Sequence, residues 1–286
     1  MNQLTRRSFI SQSAVLTGAA LLTPGFLRGE KHAVIKGPIG FQSWIVRKSI
    51  EEDFQGTLKK MAGLGYNSME LCSPQGYTTM GFGPLEKLTP SEQKKIIKDE
   101  GFTCISCHYG HKELKEHTQE RIAYAKELGL EQMIVSTFGL PKDATLSDWK
   151  KAADELNKLG EESKKAGIQM GFHNHNNEFE KLEGELIYDV LLKQLDPSLV
   201  KMQFQVWVVS IGYKAADYFK KYPGRFISAH LYDWSGTGDQ RVPLGQGKVD
   251  WKEFFAAAKT GGVKNYFVEM DEDLKASADF LKSFKA

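Results

Sequence analysis

The segment Gly171-Phe-His-Asn-His-Asn-Asn-Glu178 places two histidines two residues apart near the middle of the chain. Because side chains alternate across a strand, His173 and His175 would face the same side of a strand that runs through this segment. Two imidazoles on one face can converge on one cation or one sugar hydroxyl. The flanking Asn and Glu residues do not suit an apolar core, so we interpret the segment as part of a site. The alternative is a polar loop after the strand.

Other residues capable of acid–base or metal chemistry stand at the ends of short apolar runs. Strands that end at one edge of a parallel sheet bring such residues together, and in an α/β barrel the active site lies at that edge. The set consists of Glu70, His108, His173, His175, Gln205, His230 and Glu269. Histidine and glutamate at so many ends indicate a catalytic or ligand-binding function.

The sequence Cys104-Ile-Ser-Cys107-His108 matches the pattern of covalent haem attachment. It lies inside a strand-like run, however, where two residues three apart point to opposite faces, which also disfavours a disulfide. We expect the cysteines to fill core space and His108 to end a strand. Three cysteines in all are too few for a disulfide framework.

The chain alternates short apolar runs with amphipathic segments. Candidate strands cover 39–44, 68–72, 103–108, 132–135, 169–175, 200–206, 226–231 and 266–269, and candidate helices cover 50–64, 90–100, 118–128, 146–166, 184–192, 215–222, 251–260 and 274–283. Glycines follow several helices, as at Gly65 and Gly129, where a left-handed residue often ends a helix. Eight such units predict a (β/α)8 TIM barrel, with a doubly wound open sheet as the alternative.

The N-terminus has the features of an export signal. Arg6 and Arg7 precede an apolar run from Ala14 to Leu22 that is too short to span a bilayer, and no cysteine follows to accept a lipid. We therefore predict a twin-arginine signal and leader over 1–33, a barrel domain over 34–286, a periplasmic location and no stable membrane anchor. The alternative is a chance arginine pair before a buried helix.

The overall charge excludes one class of partner. There are 38 basic and 36 acidic residues, so the net charge is +2, and no basic field for nucleic acid is present. Seventeen Phe, ten Tyr and five Trp are sufficient for one hydrophobic core. We expect a small carbohydrate as the partner, and the oligomeric state is left open.

Several pieces of the sequence, in order, resemble the xylose-isomerase-like sugar isomerases and epimerases, which share a barrel with endonuclease IV. The pieces are Phe172-His-Asn-His175 with Glu178-Phe179, Asp217-Tyr-Phe-Lys-Lys-Tyr-Pro-Gly-Arg225, His230-Leu-Tyr-Asp233, Pro243-Leu-Gly-Gln-Gly-Lys-Val-Asp-Trp251 and Phe267-Val-Glu269. The resemblance covers most of the chain after the leader, and the order and spacing of the pieces are specific to it. The family includes isomerases, epimerases, dehydratases and lyases, so the resemblance specifies the fold better than the reaction.

The resemblance implies a divalent cation, most often Mn²⁺, held by Glu, Asp, His and Glu at the ends of four strands. The corresponding positions here are His173, Gln205, His230 and Glu269. Gln205 stands where the family usually has Asp, and His173 where several epimerases have Glu. The loss of two carboxylates predicts a weaker hold on a hard cation, so we expect Mn²⁺ first, with Zn²⁺, Co²⁺ or Ni²⁺ as alternatives that accept nitrogen.

The resemblance implies a metal-assisted isomerase or epimerase that abstracts a proton next to the carbonyl of a carbohydrate or keto-sugar. Glu269 would be one base, and His173, His175, His108 or Glu70 the second acid or base. One acid and one base also suit a lyase or hydratase acting on an oxidised (3-keto) glycoside. A sugar-binding barrel without catalysis is the alternative from another class, and a nuclease is disfavoured by the charge.

Residues near these motifs have more ordinary interpretations. His111 and His117 lie in a charged stretch and are expected to be exposed. Asp233, three residues after His230, is expected to orient a loop or to hold His230 from behind. Arg225 is expected to orient a loop. Trp44, Trp207 and Trp234 would either stack on a sugar face or pack in the barrel.

Overall fold

A computed structural model of the chain describes residues 37–284. The predicted leader, residues 1–33, lies outside the described residues, so its export function stays a prediction. Among the described residues, no helix is both long enough and apolar enough to cross a bilayer.

Eight parallel strands close into a barrel. They are β1 (Gly40–Gln42), β2 (Ser68–Cys72), β3 (Thr103–Gly110), β4 (Gln132–Thr137), β5 (Gln169–His173), β6 (Val200–Gln205), β7 (Phe226–Leu231) and β8 (Asn265–Val268). Each strand pairs with its neighbours in the chain, and β8 pairs with β1. The prediction of a (β/α)8 TIM barrel is therefore confirmed.

Nine described helices accompany the strands. They are α1 (Arg47–Glu52), α2 (Phe54–Leu64), α3 (Pro90–Asp99), α4 (His111–Leu128), α5 (Leu146–Lys165), α6 (Ile187–Gln194), α7 (Ala215–Lys221), α8 (Trp251–Gly261) and α9 (Leu274–Ser283). Gly65 and Gly129 cap α2 and α4 with φ of 104° and 91°, values that a residue with a side chain rarely adopts. The two glycines end α2 and α4 at the residues that the sequence predicted.

The core consists mainly of large apolar side chains on the strands and on the inward helix faces. Phe41, Phe172, Phe204, Phe226 and Phe267 on five different strands are almost completely buried. Burial of apolar area at about 25 cal/mol per Å² makes this packing the main favourable contribution to folding. Cys107 is buried and Cys104 partly buried, both as free thiols, as expected for core-filling residues.

Several predicted boundaries differ from the structure. Strand β5 ends at His173, so His175 lies in the loop that follows, and β3 continues past His108 to Gly110. The two rings of His173 and His175 nevertheless approach each other, with centroids 4.8 Å apart. Convergence of the two histidines is therefore observed, although only one of them is on the strand.

The prediction that His111 is exposed is wrong. The residue begins α4 and is 5% exposed, with its ring 5.1 Å from that of Phe138. Burial lowers its pKa to about 4, so the ring is neutral near pH 7. His117, in contrast, is exposed at 46% of its side chain, as predicted.

Asp233 does not hold His230. Its carboxylate accepts hydrogen bonds from the backbone N–H groups of Gly245 (2.8 Å), Gly247 (3.1 Å) and Val249 (3.2 Å) and from the indole of Trp251 (2.8 Å). It therefore fixes the loop between a two-stranded ribbon (Asp233–Trp234 with Arg241–Val242) and α8. Arg225 has the expected structural function, because its guanidinium donates to the carbonyls of Val200 and Leu195.

Candidate active site

The predicted site residues meet at the C-terminal end of the barrel. Their side chains come from five strands and from the residues directly after β5 and β8. Gln205 of β6 pairs in register with His230 of β7, and Phe267, two residues before Glu269, also pairs with His230. Parallel pairing thus brings together residues that lie far apart in the sequence.

Glu70 lies at the base of this cluster and is completely buried. Its Oε1 accepts hydrogen bonds from Ser106 (2.5 Å) and Gln203 (2.8 Å), and its Oε2 from Gln42 (2.7 Å). Burial raises the pKa of this carboxyl, but the nearby imidazoles of His108 and His230 outweigh it and hold the pKa well below its usual range. A charged, fully bonded carboxylate of this kind positions its neighbours.

His230 stands between two carboxylates. Its Nε2 lies 2.5 Å from Glu70 Oε2, and its Nδ1 lies 2.8 Å from Glu269 Oε2. Because ionised carboxylates only accept, both ring nitrogens donate. Burial lowers the pKa of His230, but Glu269 and Glu70 together raise it to about 10. The three residues therefore form a Glu70–His230–Glu269 relay with a positive centre.

Glu269 connects this relay to the solvent-accessible cavity. It is 8% exposed, and its hydrogen bonds from His230 and from Gln205 (3.3 Å) both end on Oε2. Burial is the largest single effect and raises its pKa, but the charge and hydrogen bond of His230, with His108 and His175 adding to them, together lower the pKa to about 2. The carboxylate is thus ionised near pH 7 and can accept a proton.

His108 and His173 complete the polar cluster around His230. Their ring centroids lie 5.0 and 4.4 Å from that of His230. His108 donates from Nε2 to the amide oxygen of Gln203 at 2.7 Å, which fixes its orientation. Burial lowers the pKa of His173 well below its usual range, with repulsion from the other histidines adding to it. His173 is therefore neutral near pH 7.

The donor set fits a divalent cation that accepts nitrogen once His230 releases the proton of one ring nitrogen, because a doubly protonated imidazole has no lone pair for a metal. Nitrogens of His108, His173 and His230 lie within 4.8 Å of one another. His173 Nδ1 is buried and has no hydrogen-bond partner among residues 37–284, so its lone pair or its proton lacks the partner that a buried group needs. Imidazole ligands suit Zn²⁺, Co²⁺ and Ni²⁺ better than they suit Mn²⁺, which prefers oxygen ligands. His108, predicted only as an acid or base, thus joins the candidate ligands.

Gln205 differs in character from the rest of the predicted ligand set. Its amide nitrogen lies 3.3 Å from Glu269 Oε2 and 3.4 Å from His173 Nε2. It therefore lies within the cluster but presents a donor to both neighbours, whereas a cation needs an acceptor oxygen. In this arrangement Gln205 orients Glu269 and His173.

A cavity of about 550 Å³ opens above Glu269 and Gln205. Trp44, Trp207 and Tyr232 form aromatic walls, and His175 faces the same space. Arg241 lies over the rings of Trp207 and Tyr232, 5.2 and 5.1 Å from their centroids. A smaller cavity of about 240 Å³ next to it is also lined by His175 and Glu269, together with His108. We call these two spaces the central cavity.

Burial lowers the pKa of His175, so its imidazole is neutral near pH 7 as well. The backbone N–H of His175 donates to Glu178 Oε2 at 2.6 Å, and this contact holds the loop after β5. Of the predicted acid–base residues, His175 and Glu269 line both parts of the central cavity, and His108 lines the smaller part. Trp234 does not line it, although the sequence made it a candidate for sugar stacking.

Sequence reasoning missed the polar residues that lie below the histidines. Gln42, Ser106, Gln203 and Ser228 are all fully buried on barrel strands. The signal was present as polar residues inside apolar runs, at positions whose side chains point into the barrel. Gln42, Ser106 and Gln203 donate hydrogen bonds to Glu70, and Gln203 also donates to Ser228 and accepts from His108.

A family described as xylose isomerase-like TIM barrel matches residues 58–284, which is most of the chain. The chain belongs to this family. The match covers the second strand through the last helix and includes Glu70, His108, His173, His175, Gln205, His230 and Glu269. No curated protein is a significant match by sequence.

Solved structures with the same fold include two that are named as sugar isomerases or epimerases and one that holds a zinc atom. A sugar phosphate isomerase/epimerase from Parabacteroides distasonis ATCC 8503 is 25% identical, with a TM-score of 0.72 over 88% of this chain and 96% of that one. A D-psicose 3-epimerase from Clostridium cellulolyticum H10 is 14% identical, with a TM-score of 0.61 over 85% and 89%. The IOLI protein, solved with a zinc atom, is 13% identical, with a TM-score of 0.64 over 86% and 95%.

Proposed function

We propose that the protein is a metal-assisted enzyme of the sugar isomerase/epimerase kind that abstracts a proton next to the carbonyl of a carbohydrate or keto-sugar. The observation that carries the proposal is Glu269, an ionised carboxylate held by His230 at the floor of an aromatic-walled cavity that also exposes His175. A base and a second proton-transfer group on one cavity are what enolisation requires. The similar solved proteins, named as a sugar phosphate isomerase/epimerase and a D-psicose 3-epimerase, support a sugar as the substrate.

In the proposed reaction, Glu269 accepts the proton from the carbon next to the carbonyl, and His230 keeps that carboxylate oriented through Nδ1. His175, neutral near pH 7, exchanges a proton with a substrate oxygen from the wall of the cavity. Trp44, Trp207 and Tyr232 orient the sugar and exclude water. A divalent cation held by His108, His173 and a neutral His230 would supply positive charge that stabilises a developing enolate.

A lyase or hydratase acting on an oxidised glycoside is the second candidate. The observation that favours it is the asymmetry of the cavity, where the ionised Glu269 faces the neutral imidazole of His175 rather than a second buried carboxylate. A symmetric epimerisation uses two similar bases on opposite faces of the sugar, whereas elimination needs one base and one acid for the leaving oxygen.

The experiment is hydrogen exchange in D₂O. The full chain is loaded with Mn²⁺, Zn²⁺, Co²⁺ or Ni²⁺ and incubated with a panel of ketoses and 3-keto glycosides, and NMR follows deuterium next to the carbonyl. We expect exchange in the parent and a decrease of about 10²–10⁴-fold in Glu269→Gln, the contribution of a general base. Asp271→Asn is the matched control because Asp271 lines the same cavity.

The products separate the candidate functions. Recovery of an isomeric sugar indicates an isomerase or epimerase, and release of an alcohol with an unsaturated ketone indicates a lyase. Sugar binding without exchange under every metal condition, and with equal affinity in Glu269→Gln, would leave a non-catalytic binding barrel.

A further inference from the structure

A third cavity, of about 490 Å³, lies beside the central cavity. It is bounded by the loop between β4 and α5 and by a two-stranded ribbon, Lys181–Leu182 with Glu185–Leu186, that follows β5. Its apolar lining consists of Leu140, Pro141, Ala144, Trp149, Leu182 and Ile187. We call it the side cavity.

The side cavity adjoins the central cavity at two residues. Asn177 lines both the side cavity and the larger part of the central cavity, and Thr137 lines both the side cavity and the smaller part. Both residues are exposed to solvent. A ligand in the central cavity therefore has an accessible route over Thr137 and Asn177 into the side cavity.

Several apolar side chains that line the side cavity remain accessible to solvent in the folded chain. Leu140 and Leu182 are only partly buried and Pro141 is exposed, although they come from two separate loops. Trp149 and Ile187 form a buried floor, 7% and 2% exposed. Apolar side chains that converge on a concave space of several hundred Å³ are typical of a small-molecule subsite.

The size and polarity of the space specify the ligand. The charged residues that line it, Glu180 and Lys142, are both exposed to solvent. Neither offers a buried charge that would favour a charged ligand in the cavity. A volume of about 490 Å³ exceeds what a methyl group needs and accommodates a ring system. An apolar, ring-sized group that enters from the central cavity must be attached to the sugar there.

We propose that the side cavity binds the apolar aglycone of a glycoside, so that the substrate is a sugar carrying a ring-sized apolar substituent. The proposal rests on the proposed function, because it places the sugar in the central cavity. It also favours substrates with a departing alcohol over free monosaccharides.

The test compares phenyl and methyl β-glycosides of glucose, galactose and xylose, with Kd measured by fluorescence titration of the full chain. In the parent we expect each phenyl glycoside to bind at least about tenfold more tightly than its methyl counterpart, a difference of about 1.4 kcal/mol. Leu140→Asp and Leu182→Asp should abolish this preference, because each places a charge in the side cavity. Ile211→Asp, at a residue that is 45% exposed and lines none of these cavities, should retain it.

Equal affinity for the phenyl and methyl glycosides of all three sugars, or no binding of any of them, would overturn the subsite. A preference that persists in both Leu140→Asp and Leu182→Asp would also overturn it, because the phenyl group would then bind elsewhere. Unfolding curves of each variant exclude a general loss of structure. These outcomes are separate from the proposed reaction, which is assayed by exchange on ketoses and its loss in Glu269→Gln.

Discussion

At the scale of single residues, the site depends on charges that are stabilised only by one another. Glu70, His230 and Glu269 form a chain of two hydrogen bonds in which a buried imidazolium separates two carboxylates. Each charge would be unfavourable alone in the barrel, because burial disfavours ionised groups. The relay therefore fixes Glu269 at the floor of the cavity in its ionised form.

Replacement of Glu70 should destabilise the protein strongly, although Glu70 lines neither part of the central cavity. Glu70→Gln removes the negative charge that faces His230 and presents an amide donor to other donors, so we expect the free energy of unfolding to fall by about 3–5 kcal/mol. Urea unfolding measures the change. Glu155→Gln is the control, because Glu155 pairs with Lys115 at the surface and should cost about 1 kcal/mol or less.

NMR titration provides a second readout for Glu70→Gln. Loss of Glu70 removes one of the two carboxylates that raise the pKa of His230, so that pKa should fall. An unchanged pKa of His230 together with unchanged stability would contradict the positioning function of Glu70.

At the scale of elements, the loops after the strands are held by buried carboxylates. Glu178 accepts from the backbone of His175, and Asp233 accepts from three backbone N–H groups of the loop before α8. Side chains of this kind replace the hydrogen bonds that irregular backbone lacks. Each fixes a loop that borders the site without contacting the reacting atoms.

Glu178 should make stability depend on pH. Burial raises its pKa from 4.5 to about 7, so the folded state favours the protonated form. The stability gained from that proton is fully present below pH 4.5 and is lost as the pH rises through 7. The difference in unfolding free energy between the parent and Glu178→Gln should therefore change across this window.

The exposed Glu180 provides the control for this measurement. Glu180→Gln should follow the pH dependence of the parent. A constant difference between the parent and Glu178→Gln from pH 4 to pH 8 would show that Glu178 titrates normally.

Asp233 should determine the order of the loop 235–248. Asp233→Ala leaves several donors without their acceptor, so we expect the free energy of unfolding to fall by about 2–3 kcal/mol. Limited proteolysis should cut the loop faster in this variant. Asp239→Ala, at an exposed position in the same loop, should change stability by about 0.5 kcal/mol or less. Equal proteolysis of the two variants would contradict this function of Asp233.

At the scale of the whole molecule, a ligand that binds at the end of the closed barrel should stabilise the folded protein. The candidate histidines come from β3, β5 and β7, so a cation that binds all three connects separate parts of the barrel. Binding to the folded state alone stabilises it by mass action.

Metal binding should therefore raise the melting temperature. At a free concentration 100 times its Kd, a cation adds about 2.7 kcal/mol, or roughly 5–10 °C for a domain of this size. Scans with and without Zn²⁺, Co²⁺, Ni²⁺ or Mn²⁺ measure the shift, and a chelator should reverse it. His173→Ala should lose the shift, whereas His117→Ala, at an exposed position, should keep it.

Gln205→Asp extends the same experiment. An added carboxylate should increase the shift produced by Mn²⁺ more than the shift produced by Zn²⁺, since Mn²⁺ prefers oxygen ligands. No shift with any cation in either protein would contradict the proposed metal assistance.

The sequence by itself determined the barrel and most of the site. Periodic apolar runs and glycine caps predicted eight strand–helix units, and polar residues at the strand ends identified Glu70, His108, His173, His230 and Glu269. Local patterns suffice because strand and helix periods and caps depend on neighbouring residues. The resemblance to the xylose isomerase-like family added the ligand positions, and the match over 58–284 confirms that family. The export signal stays a prediction.

Only the tertiary structure decided which of these residues touch. Glu70 and His230 are 160 positions apart in the chain, and Gln203 and Glu70 are 133 apart. The closed barrel decided that Glu70 lies below the histidines and that His108 joins the candidate ligands. It also decided that Asp233 serves a loop and that Leu140 and Leu182 line one cavity. Such contacts depend on barrel closure and strand register, which no local pattern in the sequence contains.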